Sequence, residues 1–107
     1  MNGYSLIYSV FPDVEQGKKV AQILVQERLV ACVNILPAHT AIYEWEGQLC
    51  EESEVIMLAK TLACNFAAVQ ERIMALHSYE TPCVLEIALT NVAPAFAKWI
   101  ENNVDSK

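Results

Sequence analysis

From Val30 to Thr61 the chain is rich in β-branched, aromatic and other apolar residues, interrupted by the short polar interval Glu46-Gly47. Val30, Cys32, Val33, Ile35, Ile42, Tyr43 and Trp45 precede that interval, and Leu49, Val55, Ile56, Met57 and Leu58 follow it. Such residues favour extended chain, and a glycine within a short polar stretch supplies the backbone freedom a reversal needs. The pattern predicts one long β-hairpin. A strand advances about 3.3 Å per residue, so arms of this length outrun a small sheet face, and part of the hairpin is expected to project. Pro37 cannot donate to a ladder and belongs at an edge or a bulge. It predicts an irregularity over Leu36 to Thr40, with His39 solvated or bonded locally.

Around the hairpin the period alternates between strand and helix. Residues 4–11, YSLIYSVF, read as a first strand. Asp13 is placed to cap a helix, with Gln16 able to complete a capping box, and Val20, Ala21, Leu24 and Val25 give the segment to Leu29 one apolar side. Gly17 inside that helix costs about 1 kcal/mol relative to alanine, which points to close approach against the sheet. After Thr61, Phe66, Val69, Ile73 and Leu76 recur at helical spacing, with Asn65 as the expected cap and His77 near the end. Cys83 to Leu89 reads as a last strand, and Asn91 to Asn103 as a shorter helix with Pro94 in its first turn and Phe96, Trp99 and Ile100 on one side. Strand, helix, strand, strand, helix, strand is the split β-α-β order, in which two helices cover one face of an antiparallel sheet. The strands nevertheless carry apolar residues on both parities, so a neighbouring subunit is expected to cover the second face.

The rest of the composition narrows the function classes. The 107 residues are enough for one domain, and 54% of them are hydrophobic. A net charge of −6, with no basic cluster, argues against nucleic-acid binding. The first residues lack a signal-peptide pattern and no run nears the length of a membrane span, so a cytoplasmic protein is expected. Cys32, Cys50, Cys64 and Cys83 are scattered, without C-x-x-C spacing, and are expected as small buried hydrophobes. The three glycines are isolated, and neither a nucleophile elbow nor an H-E-x-x-H motif is present, so no enzyme is expected.

Two clusters remain as candidates. Glu44, Glu46, Glu51, Glu52 and Glu54 flank the turn; they form either a solvated tip or, with a histidine or cysteine in an oligomer, a divalent-cation site that weakens at acid pH. His77 to Pro82, HSYETP, places a histidine at a helix C-terminus, where the dipole favours the imidazolium.

Several segments together resemble the CutA-like divalent-cation tolerance proteins: FPD at 11–13, RLVACVNILP at 28–37, YEWEGQL at 43–49, SEVIMLAKT at 53–61, HSYETP at 77–82 and FAKWI at 96–100. The resemblance implies an α+β, ferredoxin-like subunit over residues 1–107, with an extended hairpin and a C-terminal helix, assembling as a homotrimer. It also implies copper or zinc binding without an organic cofactor, with His77, Glu54, Cys83 and Cys32 as metal residues. Tyr43, Trp45, Lys60, Tyr79 and Trp99 match positions that line the subunit cleft or support the trimer. Ser78 departs from the usual H-P-Y motif, and Cys83 stands where a glutamate is common, which shifts the expected site toward softer metals. The alternative is a signalling or scaffold trimer that takes a small metabolite or a protein in its clefts.

Overall fold

The computed structural model describes residues 3–107. The elements run β1 (Tyr4–Phe11), α1 (Val14–Gln26), β2 (Cys32–Trp45), β3 (Gln48–Leu62), a 3-10 turn (Ala63–Asn65), α2 (Phe66–Leu76), β4 (Val84–Leu89) and α3 (Pro94–Asn103). The strands form one antiparallel sheet in the order β2-β3-β1-β4, which is the split β-α-β arrangement with α3 appended.

The hairpin closes as its sequence predicts. Trp45 pairs with Gln48, and both intervening residues, Glu46 (φ 49°) and Gly47 (φ 79°), have positive φ, as a two-residue type I′ turn requires. The outer arms are exposed, and the molecule measures 45 × 25 × 22 Å, elongated as a projecting hairpin implies. The pairing jumps between Leu36↔Ile56 and His39↔Glu54, so β2 carries one residue more than β3 over this interval. Pro37 lies inside that bulge. Beyond it the parity of β2 is inverted: Cys32 and Leu36 share a face with Ile56, and past the bulge His39, Tyr43 and Trp45 share that same face with Glu54, Cys50 and Gln48. His39 differs from expectation. It is half-buried, and its Nδ1 is buried without a hydrogen-bond partner.

The core lies between the sheet and α1 and α2. Ile7, Phe11, Val55, Met57 and Ala59 point from β1 and β3 onto Val20, Ala21 and Leu24 of α1 and Val69 and Ile73 of α2. Asp13 caps α1 by accepting from the Gln16 amide at 2.9 Å. The Gln16 side chain does not return to complete a capping box; it accepts instead from Ser78. The helix ends at Gln26 rather than Leu29, because Arg28 turns into the left-handed region (φ 59°) and the amides of Arg28 and Leu29 reach back to Val25 and Leu24. That is a Schellman closure. The Arg28 guanidinium, held by Asp105 and the Asn102 carbonyl, fixes the unusual conformation from outside.

Asn65 does not cap α2 with its side chain. The preceding 3-10 turn has already started the coil, which leaves that amide free. It donates to the carbonyls of Leu29 and Asp105 and accepts from the Lys107 amide, tying three segments together.

The other sheet face carries Leu6, Tyr8, Ile56, Leu58, Leu85 and Ile87, and among the described residues α3 covers one end of it, through Ile100 and Val104 against Leu62 and Ala31. Leu85 and Ile87 remain about half exposed. So large an apolar face marks an interaction surface.

Gly17 is buried against the sheet, as expected from its cost. A Cβ there would meet Ile35 and Val55 at 3.5 Å and Phe11 at 3.8 Å, ordinary contact distances. Gly17→Ala is therefore expected to stabilise the fold by about 0.5–1 kcal/mol, read as a higher denaturant midpoint; a lower midpoint would show the helix already seated as tightly as it can be.

Candidate functional site

Along the outer arm of the hairpin, on the face away from α1 and α2, a cavity of about 610 Å³ opens between β3 and the segment linking α2 to β4. Val10, Tyr43, Trp45, Cys50, Glu52, Glu54, Tyr79, Glu80, Thr81 and Cys83 line it. The bulge matters here, because without the extra residue Tyr43 and Trp45 would face the opposite side of the sheet. Strand alternation also divides the acidic cluster. Glu52 and Glu54 reach the cavity, whereas Glu44, Glu46 and Glu51 do not line it.

Two phenol–carboxylate pairs organise the walls. Tyr79 donates to Glu54 Oε2 at 2.6 Å, and Tyr43 donates to Glu52 Oε1. The hydrogen bond to Glu52, followed by partial burial, pushes the Tyr43 hydroxyl up to about 12. Burial and then the bond to Glu54 raise that of Tyr79. Both phenols are neutral donors at physiological pH. The Cys83 thiol is also raised, first by burial and then by the negative charge of Glu54, so it remains protonated unless a cation displaces its proton.

His77 lies behind this wall. It is buried, with its ring stacked on Phe11 at 4.4 Å and beside Tyr79 at 4.7 Å. Nδ1 accepts from the Tyr79 amide at 3.0 Å, so Nε2 carries the proton and donates to the Val10 carbonyl at 2.7 Å. The ring is a neutral bridge between two cavity-lining residues, not the exposed imidazolium cap that its place at the helix end predicts. A metal at either nitrogen would have to displace one of these bonds.

Of the four residues expected at a metal, Glu54 and Cys83 meet at the cavity, and His77 stands behind it. Cys32 is elsewhere. It pairs with Lys60, whose ammonium donates to it at 3.5 Å and to Asn34. Lys60 lies six positions along β3 from Glu54, about 20 Å away. Among the described residues no group of three or more His, Cys, Asp or Glu is placed to hold a metal ion. The four cysteines are free thiols and all partly exposed rather than fully buried. Trp99 stacks on Phe96 at 5.5 Å along the outer side of α3.

The pairing of Tyr43 with Glu52 was countable from the turn, since closing at Trp45↔Gln48 sets Tyr43 opposite Cys50 and diagonal to Glu52. The bond from Tyr79 to Glu54 had no such local signal.

A family model described as CutA1 divalent ion tolerance protein matches residues 5–103. The chain belongs to that family. It is 37% identical over 92 residues to the divalent-cation tolerance protein CutA of Thermus thermophilus, covering 86% of this chain and 89% of that one. With the chloroplastic protein CutA of Arabidopsis thaliana it shares 36% identity over 98 residues, 92% of this chain but 54% of the relative, so the chain spans about half the length of that protein. Among solved structures, CutA1 from Oryza sativa superposes with a TM-score of 0.96 at 28% identity, covering 99% and 97% of the two chains. The periplasmic divalent cation tolerance protein CutA from Archaeoglobus fulgidus does so with a TM-score of 0.93 at 33% identity, covering 95% and 99%.

Chloroplastic and periplasmic relatives overturn the cytoplasmic expectation: membership in this family does not fix a compartment, and the absence of a recognisable leader pattern was no substitute. Among the described residues no helix is long and apolar enough to cross a membrane. The family name describes tolerance of a cation and no reaction.

Two outcomes follow from this geometry. Alkylation of Cys83 is expected to accelerate through a pH above the ordinary thiol value of about 8.5, with Glu54→Gln moving that midpoint down; a midpoint at or below the ordinary value would contradict the burial. His77→Ala removes the donor to the Val10 carbonyl and opens space against Phe11, and is expected to cost about 2 kcal/mol or more, measured by denaturant unfolding at fixed protein concentration.

Proposed function

We infer that this chain is a non-enzymatic divalent-cation binder acting in metal tolerance, assembled as a homotrimer, with copper or zinc as the cation. The observation that carries the reading is Glu54, a carboxylate only 8% exposed that faces the cavity beside Cys83. Glu54 and Cys83 supply an oxygen and a sulfur, the latter after losing its proton. A tetrahedral zinc site needs four donors, so the remaining ligands belong to a neighbouring subunit or to water. His77 holds the Tyr79 loop against Glu54 and becomes a ligand only by releasing the Tyr79 amide or the Val10 carbonyl. Cys32 and Lys60 act away from this centre, on the sheet face that the assembly covers.

The uncovered apolar face supports the oligomer, because among the described residues no second layer covers Leu85 and Ile87. The family name supports the role in cation tolerance. Binding must displace protons, so it weakens as pH falls.

The test is native mass spectrometry of the reduced protein during zinc and copper titrations against a competing chelator. The expected result is a trimer taking up equivalent ions, with affinity lost in Glu54→Gln and reduced in Cys83→Ala. A trimer that stays empty would remove the metal reading and keep the assembly; a monomer would remove the assembly.

A further inference from the structure

The cavity is much larger than an ion requires. Divalent cations hold their ligands at about 2.0–2.6 Å, whereas about 610 Å³ falls within the range of small-molecule sites, about 300–1,000 Å³. Its walls are of two kinds. Tyr43, Trp45 and Tyr79 offer aromatic surface, and every charged residue in the lining is acidic: Glu52, Glu54 and Glu80, with no lysine, arginine or histidine among them.

The two phenols engage one oxygen each of Glu52 and Glu54 without neutralising either carboxylate. Among the described residues no side chain or amide donates to Glu54 Oε1, although Glu54 is more than nine-tenths buried. That oxygen is not itself sealed from solvent, and a carboxylate oxygen left open in a largely buried residue is an acceptor that favours a charged N–H donor. The aromatic rings favour a cation with an organic body over a compact hydrated ion, and the acidic lining disfavours anions.

We propose that this cavity binds a small organic ammonium ion, whose N–H groups donate to Glu54 and Glu52 while its hydrocarbon part lies against Trp45, Tyr43 and Tyr79. A primary or secondary amine fits better than a quaternary one, because the open carboxylate oxygen accepts a hydrogen bond that a quaternary nitrogen cannot donate. This site goes beyond the divalent-cation reading and shares Glu54 with it, so the two kinds of cation compete.

Isothermal titration of the full chain, in EDTA, compares cyclohexylammonium with cyclohexanol, which have the same ring but differ in charge. The ammonium ion is expected to bind at least about tenfold more tightly, with that preference lost in Glu54→Gln. Trp45→Ala, a change at an exposed hairpin position outside the core, is expected to weaken the ammonium ion several-fold while leaving the fold intact. Equal affinities, or no heat from either probe, would overturn the proposal; so would a preference that survives both substitutions. Because the chelator removes divalent ions, failure of the metal titration leaves this result standing, and failure here leaves the metal titration standing.

Discussion

The register between β2 and β3 is the constraint on which the other features rest. It is set at one end by a turn whose two residues both have positive φ, and altered once, at the Pro37 bulge. Between them, these two local events decide which side chains of a long ribbon share a face. They bring Tyr43 and Trp45 to the side that holds Glu52 and Glu54, and they leave the β-branched inner half of β2 packed against α1. The cavity is thus a product of backbone counting before it is a product of any particular side chain.

A second constraint comes from the arithmetic of layers. Two helices shield one face of a four-stranded sheet, and burial of Ile7, Phe11, Val55 and Met57 beneath them makes the core. The opposite face is nearly as apolar, yet among the described residues it is covered at its ends, by α3 and by the segment around Tyr79, and not across its middle. Apolar area left in water is stabilisation forgone, at about 25 cal/mol per Å², so whatever covers this face adds to the stability of the fold. Glu54 sits where the two concerns meet, almost buried in the single chain and at the margin of the uncovered face.

How much of this could be read in advance depends on the range of the interaction. The turn at Glu46-Gly47, the bulge at Pro37, the cap at Asp13 and the element order are short-range, and they were legible because each is written in a few adjacent residues. Asn65 looked like a cap because asparagine before an amphipathic segment usually is one; its side chain went instead to Leu29, Asp105 and Lys107, partners distant in sequence. His77 looked like an exposed helix end for the same reason, yet the path of β1 puts the Val10 carbonyl and the Phe11 ring against it. The bond from Tyr79 to Glu54 joins a loop to a strand and leaves no periodic trace. Family resemblance grouped His77, Glu54, Cys83 and Cys32 without their geometry; within one chain the fold brings Glu54 and Cys83 to one cavity, sets His77 behind it and holds Cys32 further along the sheet.

The bulge also bears on how such a chain can vary over time. Between Leu36 and His39 the structure depends on the number of residues more than on their kinds, since an extra residue of nearly any type preserves the inversion of parity. Substitutions at 37 and 38 can accumulate with little effect on the cavity, whereas losing a single codon there would turn the aromatic residues of the outer arm to the other side at one stroke. Divergence in this segment is thus open to replacement and closed to change of length, a constraint on the residue count of a strand and not on its composition.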